Sequence, residues 1–142
     1  MLQIYLYICK YSLEKGELGL SFNGGKDCTV LVYLIALCLY GRKNSSSDFE
    51  KFHIPTVFVD RSDSFAELEE FVTDMETRQL PTLLAIERRK EESMREALFQ
   101  FTQGHPDMKA IFVGVRRSDP YSSNIYYHSI LTNKLYSPYI YL

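Results

Sequence analysis

Short apolar runs separated by polar, turn-forming stretches recur along this chain, and their lengths and spacings sort them into strands and helices. Glu17–Phe22, "ELGLSF", predicts a short strand. The next apolar run is too long for a strand, so a helix is expected from about Asp27 to Tyr40. From Val30 to Leu39 it is apolar nearly all round, which predicts that both faces are covered. Gly41 stands where a left-handed C-terminal cap belongs, and "RKNSSSD" then reads as a surface loop. "IPTVFVD" predicts a second strand from about Thr56 to Val59. Ser64, with Glu67 three residues on, has the form of a capping box. The helix it opens places Phe65, Leu68, Val72 and Met75 on one stripe. "PTLLAIE" predicts a third strand. A third helix carries Met94, Ala97, Leu98 and Phe101 at spacings of three and four, and stops at Gly104-His105-Pro106. "AIFVGV", Ala110 to Val115, predicts a fourth, buried strand.

Strands alternating with helices predict an α/β fold, a three-layer Rossmann-like parallel sheet with helices on both faces. Ligands of such sheets sit beyond the carboxyl ends of the strands, where neighbouring connections diverge. Two loops leave strand ends with unusual chemistry, "NGGKD" after the first strand and "RRSDP" after the fourth. Their positions agree with a single site.

Composition narrows the picture further. At 142 residues, 46% hydrophobic and 24% charged, the chain has the size and balance of one globular domain. A formal charge of −2, with no basic cluster interleaved with aromatics, gives no reason to expect a nucleic-acid or anionic-membrane partner. Cys9, Cys28 and Cys38 lack C-x-x-C spacing and are odd in number, which fits free thiols in a reducing, cytoplasmic compartment. The apolar run Leu2–Cys9 lacks a basic lead and a small-x-small cleavage site, and is too short to span a bilayer. It is expected to be a helix or strand leading into the first βα unit. Oligomeric state is not set by these features.

The chemistry concentrates in "SFNGGKDCT". Gly24 and Gly25 let backbone N–H groups approach a ligand without hindrance from a Cβ. A helix starts there, so its unsatisfied N–H groups and positive dipole end point into the same space. Lys26 adds a full charge, and together these form a phosphate cradle. Asp27 either caps the helix, where a carboxylate is favoured, or meets phosphate oxygens through a bridging Mg²⁺ ion. Ser21 and Asn23 are candidate hydrogen-bond donors to phosphate, or ordinary strand-end turn residues. The stretch is neither a Walker A loop nor G-x-G-x-x-G.

"SFNGGKD" resembles the S-x-G-G-K-D signature of the PP-loop ATP pyrophosphatase superfamily, to which phosphoadenylyl-sulfate reductase-like proteins also belong. The longer "LSFNGGKDCTVL" resembles the eukaryotic FAD synthetase (FMN adenylyltransferase) branch, in which asparagine precedes the glycines. "SDSFAELEEFV" is similar to that branch's "SPFPELEEF"-type segment. "GVRRSDPYS" is similar to its G-T-R-R-T-D-P motif, with Val115 and Ser118 substituted. The resemblance runs from about Glu17 to Ser122. It implies an adenine nucleotide alpha hydrolase-like fold and a reaction in which FMN attacks the α-phosphorus of MgATP, giving FAD and pyrophosphate. Carried over, Asn23, Lys26, Asp27 and Asp119 are the implied catalytic residues. Ser21, Phe22, Gly24, Gly25, Val59, Asp60, Arg116 and Arg117 are the implied substrate-binding ones. Val59 and Asp60 would lie at the adenosine, and Arg116, Arg117 and Asp119 on the flavin side. Asp27 is the implied Mg²⁺ ligand. Read without the resemblance, Arg116 and Arg117 are equally a solvated strand end, and Ser-Asp-Pro is a common turn starter.

The resemblance divides the chain into a lead-in (residues 1–16), a nucleotide-binding domain (17–121) and a tyrosine-rich tail (122–142). Relatives continue past this point with a further strand and a tryptophan-containing helix, whereas this chain has no Trp and ends in "SNIYYHSILTNKLYSPYIYL". The expectation is therefore that the last strand and the C-terminal part are missing or replaced. An impaired enzyme, a catalytically silent ATP-binding module and a non-functional truncated isoform are the resulting alternatives. Sulfur-handling relatives that depend on a late cysteine fit less well, because none follows Cys38. His53, His105 and His128 have no companion at zinc-ligand spacing, and no G-x-S-x-G elbow occurs. Glu67, Glu69, Glu70, Glu91 and Glu92 read as solvated helix faces or partners of a helix N-terminus.

Overall fold

All five residues of Leu18–Phe22 (β1) are buried, the small Gly19 and Ser21 included. A strand buried on both sides needs pairing partners at both edges and helices over both faces. The structure, a computed structural model, describes residues 2–41, 53–60, 65–90, 94–114 and 139–141. In it, β1 lies between β2 (Ile54–Val59) and β4 (Ala110–Val113), with β3 (Leu84–Arg89) beyond β2 and β5 (Tyr139–Tyr141) beyond β4. Every pairing is parallel. Leu20 stands opposite Thr56 on one side and Phe112 on the other, so the three central strands end nearly level. The order β3-β2-β1-β4-β5 reverses direction at β1 and β4, which makes their carboxyl ends the topological switch point.

Helices cover the two faces unequally. On one, Leu98 and Phe101 of α4 (Met94–Gly104) pack with Val57 and Ile111. On the other, α1 (Leu2–Lys10), α2 (Lys26–Gly41) and α3 (Ala66–Asp74) build a larger core that includes Ile4, Ile8, Leu31, Ile35 and Val72. The lead-in is thus a helix sharing the main core. Beyond Asp74 the helix widens into a π turn, Met75–Gln79, closed by Leu80 N–H on the Met75 carbonyl at 3.0 Å. Three polar groups tie the rim together. Arg88 reaches Glu76 at 2.9 Å and Glu69 at 3.7 Å, anchoring α3 to β3. His105, after α4, meets Glu87 at 2.6 Å, and Lys109 pairs with Glu17 at 2.5 Å. Thus Glu69 is ion-paired rather than simply solvated.

Several expectations are corrected. The all-apolar α2 is covered on one side only, because it lies in an outer layer. Val30, Leu37 and Tyr40 are 57%, 58% and 72% exposed. Gly41 is the last helical residue without a left-handed turn; among the described residues, Gly16 and Gly24 are the glycines with positive φ. The N-cap of α3 is Phe65, which makes no side-chain cap and is 75% exposed rather than part of the buried stripe. Ser64 lies outside the described residues. β2 begins at Ile54, earlier than expected, and contains Pro55. Pairing with β1 starts only at Thr56, so the missing proline N–H breaks no bond of that ladder. β3 runs Leu84–Arg89, later than "PTLLAIE", because Leu80–Leu83 forms the turn that ends the preceding helix. Among the described residues, no helix is long and apolar enough to cross a membrane.

The uneven cover of α2 has a measurable outcome. Ile35→Ala, at a fully buried position, should lower stability by about 2–5 kcal/mol, whereas Leu37→Gln should change it by less than about 0.5 kcal/mol. Urea unfolding of both variants checks this; a large loss in Leu37→Gln would show that the outer stripe is covered after all.

Candidate active site

β1 ends at Phe22 and α2 begins at Lys26, so three residues must turn the chain from strand to helix. Gly24 does this with φ +70°, the left-handed region that glycine enters without strain. The side chain that α3 packs on this position also favours glycine. A Cβ on Gly24 would lie 2.2 Å from Leu68 Cδ1 of α3. Gly25 is the N-cap: its carbonyl accepts the first helical bond, from Thr29 N–H at 2.9 Å, and a second from the Thr29 hydroxyl at 2.9 Å.

The amides divide in a way the sequence did not foretell. Asn23 Oδ1 accepts from Gly25 N–H at 2.9 Å, so this amide, expected to face the ligand, serves the loop's own side chain. The carbonyl end of Asn23 is thereby a loop-shaping acceptor. The amides of Lys26, Asp27 and Cys28 occupy the first helical turn, where helix geometry provides no acceptor. At this turn the helix presents the positive end of its dipole. Lys26 is exposed and Asp27 half-buried at this turn.

Side chains of β1 point elsewhere. The Ser21 hydroxyl is buried and donates to Met94 Sδ at 3.7 Å. The Phe22 ring is fully buried and lies 6.5 Å from that of Phe71. A ligand at the loop would meet the main chain of Phe22. Val59 and Asp60 leave β2 on the same edge, since Phe58 lies opposite Phe22. Asp60 is held there by its N–H on the Arg89 carbonyl, at 2.8 Å, and by Lys90 at 3.9 Å. Arg116, Arg117 and Asp119 lie outside the described residues. The strand that leads to them ends beside the loop, with Val113 opposite Ser21.

Gly114 was not singled out from the sequence, yet it joins these parts. A Cβ there would fall 2.7 Å from Cys28 Sγ and 3.0 Å from the Cys28 backbone N and Cα. The thiol donates to the Gly114 carbonyl at 3.8 Å. The end of β4 thus rests directly on the first turn of α2. An isolated glycine closing a buried strand, and opening the "GVRRSDPYS" motif, is the signal that could have flagged it. Burial pushes the Cys28 thiol above its ordinary value, offset only in part by the backbone of Asn23 and Gly114. Among the described residues, no group of three His, Cys, Asp or Glu is placed to hold a metal ion.

Comparison with known proteins identifies the family. The sequence profile of the phosphoadenosine phosphosulfate reductase domain matches residues 17–133. The chain belongs to this family. Within it, the chain is similar to the flavin adenine dinucleotide synthase of Saccharomyces cerevisiae, 36% identical over 124 residues, which cover 79% of this chain and 40% of that protein. It superposes on the FMN adenylyltransferase of Candida glabrata in complex with FMN and the ATP analogue AMPCPP, with TM-score 0.70 and 36% identity. The complex of that enzyme with FAD and inorganic pyrophosphate gives the same values. Each superposition covers 84% of this chain and 40% of the other. The chain therefore spans less than half the length of the relatives it matches.

Two outcomes follow from the Gly114 contact. Gly114→Ala should destabilise the fold by about 1–3 kcal/mol through overpacking against α2, read as a lowered thermal midpoint; an unchanged midpoint would refute the close approach. The raised Cys28 value favours the neutral thiol in the folded chain. Its contribution to stability is present below the ordinary value of 9.0 and is lost as pH rises past it. Urea midpoints should accordingly fall more steeply above that pH in the parent chain than in Cys28→Ala.

Proposed function

We propose that this chain binds MgATP at the Asn23–Asp27 loop and belongs to an FMN adenylyltransferase, which joins ATP and FMN to give FAD and pyrophosphate. The observation that carries the reading is a glycine turn opening onto the first turn of α2, in a chain 36% identical to an enzyme crystallised with FMN and AMPCPP.

In this reading the β- and γ-phosphates sit on the first-turn amides of α2, where the helix dipole favours negative charge. Lys26 balances the charge that grows on pyrophosphate as a phosphate oxygen of FMN forms its bond to the α-phosphorus and the bond to the β-phosphate bridging oxygen breaks. No protein nucleophile is required. Asn23 fixes the loop through Gly25, and Gly24 supplies the left-handed turn that leads the chain into α2. Val59 and Asp60, level with the loop on β2, are the adenosine contacts. Arg116, Arg117 and Asp119 are assigned to the flavin side, where paired arginines suit a phosphate monoester.

Mg²⁺ fits the residues present. Asp27, a half-buried carboxylate, stands at the loop, and Mg²⁺ is commonly held by one or two carboxylates with substrate phosphates and water supplying the rest. When bound, the ion neutralises phosphate charge. Asp27 would hold it while also favouring the helix N-terminus. The free cysteines suit a reducing, cytoplasmic setting.

Incubation with FMN and MgATP, followed by chromatography, should yield FAD and pyrophosphate. Lys26→Ala should lower kcat/KM by about 100-fold or more while leaving the fold intact, because Lys26 is exposed. Asp27→Ala should weaken the dependence on Mg²⁺. ATP bound with no FAD formed would make the chain a silent nucleotide-binding module. Failure to bind MgATP at all would overturn the reading.

A further inference from the structure

A two-glycine loop has more backbone freedom than any other pair of residues would give it. A cradle for phosphates must nevertheless hold its amides in one arrangement, since a misplacement of about 1 Å can cost about 100-fold in rate. Something outside the loop has to supply the missing stiffness. The Asn23–Gly25 hydrogen bond supplies part of it from within. On the other side the loop meets α3. The position a Cβ would take on Gly24 lies 2.2 Å from Leu68 Cδ1, 3.5 Å from Leu68 Cγ and 3.6 Å from Val72 Cγ2. The methyl of Leu68 fills the space that any other residue at this position would use for its own side chain.

A wall is useful only if it does not move. Leu68 is half-buried against the main core, and Val72 and Met75, one and two turns further on, are essentially fully buried. Arg88 of β3 ties the outer side of α3 down through Glu69, Glu76 and the Thr73 hydroxyl, at 3.7, 2.9 and 3.3 Å. The next residue after Leu68 is therefore ion-paired to the sheet. Leu68 presents carbon only, so it acts on Gly24 by packing and supplies no reacting group.

We propose that Leu68 is a positioning residue for the phosphate loop: packed on Gly24, it holds the loop in its ligand-ready shape and so sets the affinity for the polyphosphate part of ATP. The proposal rests on the ATP reading above and adds to it a residue outside the glycine-rich signature.

The test uses the full chain and three variants, Leu68→Ala, Leu68→Met and Leu98→Ala. Leu98 is a buried leucine in the core on the opposite face of the sheet, so its truncation lowers stability without touching the loop. In calorimetry, Leu68→Ala should weaken MgATP and inorganic pyrophosphate alike, by about tenfold, whereas Leu68→Met should stay within about threefold of the parent. Leu98→Ala should bind both as the parent does, despite a comparable fall in thermal midpoint. Independently of any ligand, the backbone order parameters of Gly24 and Gly25 should fall from about 0.85 toward about 0.6 in Leu68→Ala alone. Parent-like binding and order in Leu68→Ala would overturn the proposal, as would equal losses in Leu98→Ala. A parent chain that binds no MgATP would instead sink the functional reading, and the order parameters would still decide whether Leu68 holds the loop.

Discussion

At the end of β1 a residue without a side chain turns left-handed while α3 closes to within 2.2 Å of where a Cβ would stand. That steric allowance is what the site depends on. With any other residue at Gly24, the left-handed turn would be strained and the Leu68 side chain of α3 would have to move aside. A second allowance of the same kind operates at Gly114, where β4 rests on the backbone of Cys28. Between them, two absent side chains let three segments, distant in sequence, meet at one point of the sheet.

Electrostatics then act on a frame that packing has already set. The first turn of α2 offers a fixed partial positive charge, to which Lys26 adds a mobile full one. Asp27 is favourable toward the helix end and unfavourable toward bare phosphate, a conflict that a cation would resolve. Away from the loop, charges serve the scaffold. Arg88 holds α3, His105 and Arg89 converge on Glu87, and Lys109 meets Glu17 beside the start of β1. For Glu87, burial works against ionisation, yet hydrogen bonds from Arg89 and His105 outweigh it and hold the carboxyl below its ordinary value. These partly exposed pairs contribute modestly to stability; those of Arg88 and His105 join helix ends to β3.

Legibility varied with the range of the interaction concerned. The strand, glycine turn and helix start at Leu18–Thr29 could be read directly, because the chemistry of a helix N-terminus involves residues within four of one another. The element order and the parallel sheet followed from the alternation of patterns. Exposure of Val30, Leu37 and Tyr40 did not, since an apolar side chain carries no record of which layer its helix occupies. Nor could the partner of the Gly25 amide be foreseen: Asn23 has both a donor and an acceptor end, and only the loop geometry chooses between them. Leu68 looked like one more core residue on a helical stripe, and its contact with Gly24 exists only because α3 and the loop share a sheet edge.

The sequence by itself determined much of the local conformation: the strand β1, the glycine turn after it and the start of α2. It also carried enough of a family pattern for the fold family to be named. Tertiary structure alone decided which glycines are pressed against neighbours, which amides are already engaged, and which apolar faces stay in water. The physical reason is that propensities and capping act over a few residues, whereas these outcomes depend on strand register and helix placement. Those are set by many weak contacts between segments far apart along the chain.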